Sequence, residues 1–448
     1  MAVDMAKGAG VMFAVGGAMS AISGAFNEAV EYQNTMRTTQ SILKHGTDSY
    51  TKDSFKNMER TVRDVGVKTK FSSSEVADAA KFLAMAGYDI EAINAAIAPI
   101  ADLALIGDSD LGETADKMTN IMTTFQISPT RMREAANIMA TTATRSNTDL
   151  MMLAESAKYG GGVANMYGRN DPNLFGDTMA LFGVMGNAGI QASSAGTALR
   201  MMYMNLFNPN NKQKALLDML ESTYNIKRFK DNGEYRAMSD ILIDMAQRIP
   251  ENKMAEVVGK LFRITAQPGA NATLIAAAGG ELNNEQEIVS GFNSVGDKIL
   301  KEGLGPLISL MKANRESING NISGDIAGSK QNTLKGLWAQ VTSTFEEGVL
   351  VTLENRQGEF ENMLKQLSEY FAKPETIQMM QNLIDMIVDI GKVMAGFVKI
   401  WAELYNMAPG LIKLWVTTQM LFTQIGTLIS PIISLIGVFN RLGGVIAK

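Results

Sequence analysis

Two stretches of this chain share one local grammar, and it commits the chain to short helices joined by tight turns. Met85-Ala86-Gly87-Tyr88-Asp89-Ile90-Glu91-Ala92-Ile93 leads into Ile97-Ala98-Pro99-Ile100-Ala101-Asp102-Leu103-Ala104. Gly186-Asn187-Ala188-Gly189-Ile190-Gln191-Ala192-Ser193-Ser194 leads into Ala195-Gly196-Thr197-Ala198-Leu199-Arg200. In each, a small residue and a glycine close one helix, a polar pair caps the next, and an alanine-rich face follows. A glycine just past a helix enters the left-handed region without Cβ strain. Asp or Ser at the following cap accepts from amides the helix leaves unbonded. Gly87, Asp89, Gly189 and Gly196 are therefore the expected structural turn residues.

The same pattern extends along the chain as helix after helix, and no alternation of apolar and polar residues outlasts a few positions. The spacing predicts helices over 7–42, 54–65, 72–86, 89–106, 111–125, 128–145, 148–158, 174–185, 193–207 and 212–221. Ser72-x-x-Glu75 reads as a capping box, Ser128-Pro129 as a cap with proline in the first turn, and Pro99 as a kink. Gly160-Gly161-Gly162 reads as a hinge. The one expected hairpin flanks Asp231-Asn232-Gly233, near 226–236. The fold class is all-α: a multi-helical compact core followed by long glycine-punctuated apolar helices.

A compositional shift near Gly279-Gly280 sets the expected divisions: 1–50 a long N-terminal helix, 51–280 the core, 281–372 a helical connector, 373–448 apolar C-terminal helices. Asn319-Gly320-Asn321-Ile322-Ser323-Gly324 reads as a hinge or loop within the connector. There is no fixed-period repeat, which argues against a solenoid. Thirty-one methionines against 18 Phe, 10 Tyr and 3 Trp make the apolar content soft. Two readings follow: a core that uses Met to fill gaps, or one that repacks between states.

Composition excludes several chemistries. The chain has no cysteine, so it has no disulfide, thiolate ligand or cysteine nucleophile. Net charge is −5 and no basic stripe is present, so a nucleic-acid footprint is absent. Lys227-Arg228-Phe229-Lys230 is followed at once by acidic residues and reads as a solvated face. The one histidine, His45, reads as a loop side chain, and no triad or zinc cluster can be assembled around it. Gly259-Lys260 and Gly328-Ser329-Lys330 lack phosphate-loop spacing, and Gly183-x-x-Gly186-x-x-Gly189 ends a helix where a dinucleotide fingerprint would follow a strand. No enzyme activity, catalytic residue, cofactor or metal is expected.

Leu414 to Asn440 carries no charge over 27 residues. At about 1.5 Å per residue such a helix is long enough for the ~30 Å core of a bilayer. Leu414, Trp415, Leu421, Phe422, Ile425, Leu428, Ile432 and Ile436 are its apolar membrane or assembly residues. Thr417, Thr418, Gln419, Gln424, Thr427 and Ser430 oppose a lipid-facing span and suit helix–helix seams. Three readings stay open: helices buried in an oligomer, a constitutive span, or a segment hidden first and inserted later.

In order and spacing, the two opening stretches resemble the core region of phage tail tape-measure proteins. Val30-Glu31-Tyr32-Gln33-Asn34-Thr35-Met36, Asp110-Leu111-Gly112-Glu113-Thr114-Ala115-Asp116 and Lys260-Leu261-Phe262-Arg263 extend the resemblance over roughly residues 8–278. Arg263 departs from the Phe-Gly common at that turn. The resemblance implies a non-enzymatic structural protein in the tail lumen that templates tail length, plugs the tail tip and leaves ahead of DNA. It further implies self-association, with a homotrimer expected, and as partners the tail tube, tail-tip or baseplate proteins and tail assembly chaperones. The host membrane joins them on ejection, and no specific nucleic acid does. Location would be the virion tail, or a phage-derived tail-like particle, then the host envelope. Some such proteins carry a peptidoglycan lyase, whose Glu-Ser pair precedes a Gly-Leu-Met-Gln type motif. Glu155-Ser156, Glu221-Ser222 and Glu316-Ser317 supply the pair without the motif. The alternative function is a membrane-inserting helical pore spanning through 414–440.

Overall fold

The structure, a computed structural model, describes residues 2–47, 49–278 and 305–356, with scattered positions between 358 and 399. Of residues 2–23 it describes the backbone. The chain is all-α, and several helices begin where a polar side chain turns back on the backbone. After α1 (Ala2–Gly46), Thr51 and Ser54 form a capping box that opens α2 (Lys52–Lys68). Ser72 and Glu75 do the same for α3 (Ser73–Met85). Single caps follow, with Asp89 accepting from Ala92 N at 2.8 Å to start α4 (Ile90–Gly107) and Asp110 accepting from Glu113 N at 2.8 Å to start α5 (Leu111–Thr124). Each cap satisfies a donor that would otherwise be orphaned, for about 1 kcal/mol.

At Ser128 the reading needs correction. Pro129–Arg131 form a 3-10 turn before α6 (Met132–Arg145), and Ser128 makes no cap bond; its hydroxyl lies 2.9 Å from that of Thr130. The helices α7 (Leu150–Gly168), α8 (Leu174–Asn187), α9 (Ala192–Phe207) and α10 (Asn211–Tyr224) continue the chain. Then come α11 (Met238–Arg248), α12 (Glu251–Leu261) and α13 (Gln267–Ala277). The expected hairpin reduces to one antiparallel bridge, Phe229 to Tyr235, closed by Gly233 at φ 84°. Beyond 305 are α14 (Pro306–Ser317), α15 (Ile322–Gln331) and α16 (Leu334–Asn355). His45 lies exposed in the last turn of α1 rather than in a loop.

Burial organises the helices around α4 and α8. In α4, Ile93, Ala96, Ile97, Ile100, Ala101 and Ala104 are fully buried, and the helix continues through the buried Pro99. In α8 every residue from Leu174 to Gly186 is buried, so this helix is covered on all sides. Met58, Met179, Met185, Met202 and Met245 fill the spaces between helices, consistent with the gap-filling use of that side chain.

Two compact units divide the chain, residues 1–351 and 352–448. The divisions expected at 50 and 280 fall inside the first unit. Ala25, Ala29, Tyr32, Met36 and Leu43 bury one face of α1, which packs on α3. Likewise α14 packs on α6 and α8, and α15 on α4 and α6. Residues 279–304 and the expected apolar segment, Leu414, Trp415, Leu421, Phe422, Ile425, Leu428, Ile432 and Ile436, lie outside the described residues. Among the described residues, only α4 is long and apolar enough to cross a membrane, and 61% of that window is buried inside the protein.

Candidate functional site

No catalytic constellation assembles among the described residues, and no group of three His, Asp or Glu there could hold a metal ion. The features that set this chain apart are two sharp turns, one unusually close helix seam and a set of buried polar pins. The turns are built as their residue types require. Gly87 has φ 86° and Gly189 φ 75°, each just past a helix. Tyr88 N reaches back to Leu83 O at 3.1 Å and Ile190 N to Met185 O at 2.9 Å, the 6→1 bond of a Schellman motif. Neither glycine has a heavy atom within 4 Å of where a Cβ would stand, so conformation and not space reserves these positions. Gly87→Val and Gly189→Val are each expected to cost about 1–2 kcal/mol, from forcing a β-branched residue to positive φ. Urea denaturation followed by circular dichroism measures this, and unchanged midpoints would refute it.

Gly196 does not belong with them. It lies inside α9, near the middle of a seam with α7. Ser156 Oγ donates to Ala192 O at 2.9 Å, Gly160 faces Gly196, and the Tyr167 ring stacks on Tyr203 with 7° between planes. The constant offset along these pairs means that α7 and α9 run parallel. A Cβ on Gly160 would stand 2.8 Å from Gly196 O, and one on Gly196 would stand 2.7 Å from Tyr159 Cβ and nearer still to Ser156 O. The helices therefore meet backbone to backbone. The expected hinge at Gly160-Gly161-Gly162 is corrected: α7 runs unbroken through it, because Gly160 admits α9 and Gly161 admits the Thr124 and Phe125 side chains. Toward their C-terminal ends the seam is filled by Tyr167, Tyr203 and Phe207, with Tyr235 edge-on to two of these rings.

Polar pins join helices distant in sequence. Asp177 on α8 accepts from Arg315 Nη2 at 2.9 and 3.0 Å and from Ser239 Oγ at 3.0 Å, tying α8 to α14 and α11. Burial pushes its carboxyl up to about 6, with Arg315 and Ser239 pulling the other way. Asn314 donates to Gly176 O at 2.8 Å and accepts from Thr142 Oγ1 at 3.1 Å. Asn137, fully buried, donates to the carbonyls of Ser317 and Gly320 and accepts from the backbone N and hydroxyl of Ser323. Its amide is thus used completely, as a buried amide must be to avoid a desolvation penalty. Sequence reasoning did not single out these residues. One signal was available: Asp177 is the one charged residue in the run from Leu174 to Met185.

A cleft beside Arg315 is lined also by Arg131, Arg169, Glu134 and Asp171. Its guanidinium groups are engaged: Arg131 with Glu134, Arg169 with Gln126, Arg315 with Asp177. It is a paired polar surface. The Glu-Ser pairs have no joint site either: Ser156 and Ser317 are buried and bonded to backbone, whereas Glu155 and Glu316 are exposed.

Residues 59–263, which span the turns, the seam and Asp177, match the model of the family described as phage-related minor tail protein. More particularly, the chain is similar to a tape measure protein of Pneumococcus phage Dp-1, 30% identical over 170 residues, which are 38% of this chain and 14% of that one. It is also similar to a probable tape measure protein of Escherichia phage P2, 25% identical over 231 residues, 50% of this chain and 27% of that one. The resemblance to tape-measure proteins therefore holds. The aligned parts are a small fraction of each relative's length. No solved structure matches the chain.

Proposed function

We propose that the chain is a structural tail protein of the tape-measure type, whose compact core serves as a plug or docking module near the tail tip. The observation that carries this reading is that the family match falls on a close-packed helical body, pinned by glycine seams and buried polar bonds. A ruler requires an extended element with a fixed rise, about 1.5 Å per residue in a helix. The core is the wrong shape for that and suits a terminal body from which longer helices run. In this reading the protein sits in the tail lumen with a few identical copies, three expected. It templates the tube, contacts tube, tip and chaperone proteins, and leaves ahead of DNA. It does so without enzymatic chemistry.

The apolar run at 414–440 is assigned to assembly before ejection, because one uncharged helix of that length exceeds the few hundred Å² of apolar patch that a monomer tolerates. A chain ending at Phe371 is expected to lose self-association in analytical ultracentrifugation while keeping a cooperative helical melt. Identical sedimentation of the short and full chains would overturn the assignment. The same run favours a second reading, a membrane-inserting pore. Leakage from liposomes on addition of the full chain would support the pore; a full chain soluble without detergent and silent toward liposomes would support the tail protein.

A further inference from the structure

Helix α16 is docked with its apolar stripe outward, whereas α15 turns Ala327 to the core and packs on α4 and α6. Helix α15 buries only Ser323 and Ala327, and α16 only Ser343 and Leu350. Polar bonds hold the segment to the core. Ser323 meets Asn137 and Arg133, and Lys330 Nζ donates to Ile106 O at 3.1 Å and pairs with Asp108. Gln331 donates to Lys68 O at 2.9 Å and Ser343 to Phe71 O at 3.3 Å. Glu347 accepts from Arg63 Nε at 2.6 Å and from Ser73 Oγ at 3.0 Å. Meanwhile Leu334, Leu337, Trp338, Val341 and Phe345 are exposed, with Leu334 at 89% and Trp338 at 73%.

In α16 this inverts the usual arrangement, in which an amphipathic helix turns its apolar stripe toward the core. Docking of α16 therefore gains little from burial, the dominant favourable term in packing. The docked face also gathers like charges. Glu346 is held above the ordinary carboxylate range by burial and by the Glu28 and Glu75 carboxylates. By contrast α14 buries Leu307, Leu310 and Met311 and is anchored by Asn314 and Arg315, and α15 buries Ala327 and is pinned through Ser323 to the buried Asn137. The transition from anchored to weakly held falls at Asn332–Thr333.

We propose that residues 334–351 form a detachable strap, stored on the core by polar bonds and released as a unit at Asn332–Thr333 while α14 and α15 stay in place. Released as helix, these residues reach about 27 Å beyond the core, at ~1.5 Å per residue. The device rests on the packing alone and stands whether or not the chain is a tail protein.

Hydrogen exchange by mass spectrometry on the full chain tests it. Segments that open locally exchange faster than the globally protected core. Amides of 334–351 are expected to exchange at least about tenfold faster than those of 306–317 and about a hundredfold faster than those of 90–107. Arg63→Glu sets two acids face to face and should speed 334–351 by about another tenfold, leaving 90–107 unchanged; adding Glu347→Arg should restore most of the protection. Should Arg63→Glu lose helical circular dichroism, Glu347→Gln provides the same reading from the strap side. Exchange of 334–351 in step with 90–107 would overturn the strap, as would charge reversal that speeds every segment alike.

Discussion

Replacing Gly196 with alanine is expected to destabilise the core by about 3 kcal/mol, the upper range for overpacking a close contact. In an isolated helix the same change would be favourable, since alanine is the better helix former. The neighbour decides the sign. The added carbon meets the Ser156 carbonyl and Tyr159 Cβ, both fixed to the backbone of α7, so relief requires moving a helix and not turning a side chain. Moving α7 from α9 also stretches the Ser156 to Ala192 bond and disturbs the Tyr167–Tyr203 stack. Gly162 supplies the control. It is exposed on α7 with nothing within 4 Å of its Cβ position, so Gly162→Ala should stabilise by roughly 0.5–1 kcal/mol. Urea midpoints of the two variants are expected to move in opposite directions. Movement together would mean that the seam does not set the packing of these helices.

That contrast marks what a sequence of this kind makes legible. Ser72 with Glu75, Asp89 and Asp110 could be read as caps because a cap bonds to amides two or three residues away. Gly87 and Gly189 could be read as turns because their requirement is a φ value, a property of the residue itself. Gly160, Gly161 and Gly196 look the same in sequence, yet their requirement is a neighbouring helix 36 residues distant, or the side chain of Phe125. A local reading thus turned a packing glycine into a turn and a continuous helix into a hinge. Near the expected division at 280 the partners are again remote in sequence. Composition does change there, but Asn137, Asp177 and Thr142 reach across it to Asn314, Arg315, Ser317 and Ser323. A single polar residue inside an apolar helix announces that a partner exists without saying where it lies.

The ion pair at that junction yields the second large effect, and one whose pH dependence can be worked out. Asp177 is buried, with a side chain 5% exposed, while Arg315 is 44% exposed. Burial raises the Asp177 pKa to about 6, above its ordinary value of 3.8. A carboxyl raised on folding binds its proton more tightly in the native state. Its stabilising contribution is therefore complete below about pH 4, is lost as pH rises from about 4 to 6, and stays lost above. Removing Arg315 strips away the main charge that favours the carboxylate, so the pKa moves higher and the loss grows. Arg315→Ala is expected to cost about 2 kcal/mol at pH 7.5, below the 3–5 of a fully buried pair because the guanidinium is half in solvent. At pH 4.5 the cost should fall to about 1 kcal/mol or less, since the protonated acid needs no counter-charge. Asp240 adds in the same direction, being raised by burial and held down in part by Arg315. Asp177→Asn should abolish most of this pH dependence, because an amide carries no charge to be stranded. Urea unfolding of the wild type and the variants at the two pH values measures each difference. An Arg315→Ala cost that is the same at pH 4.5 and 7.5 would mean the bond holds α14 by packing alone, with Asp177 already neutral in the native protein.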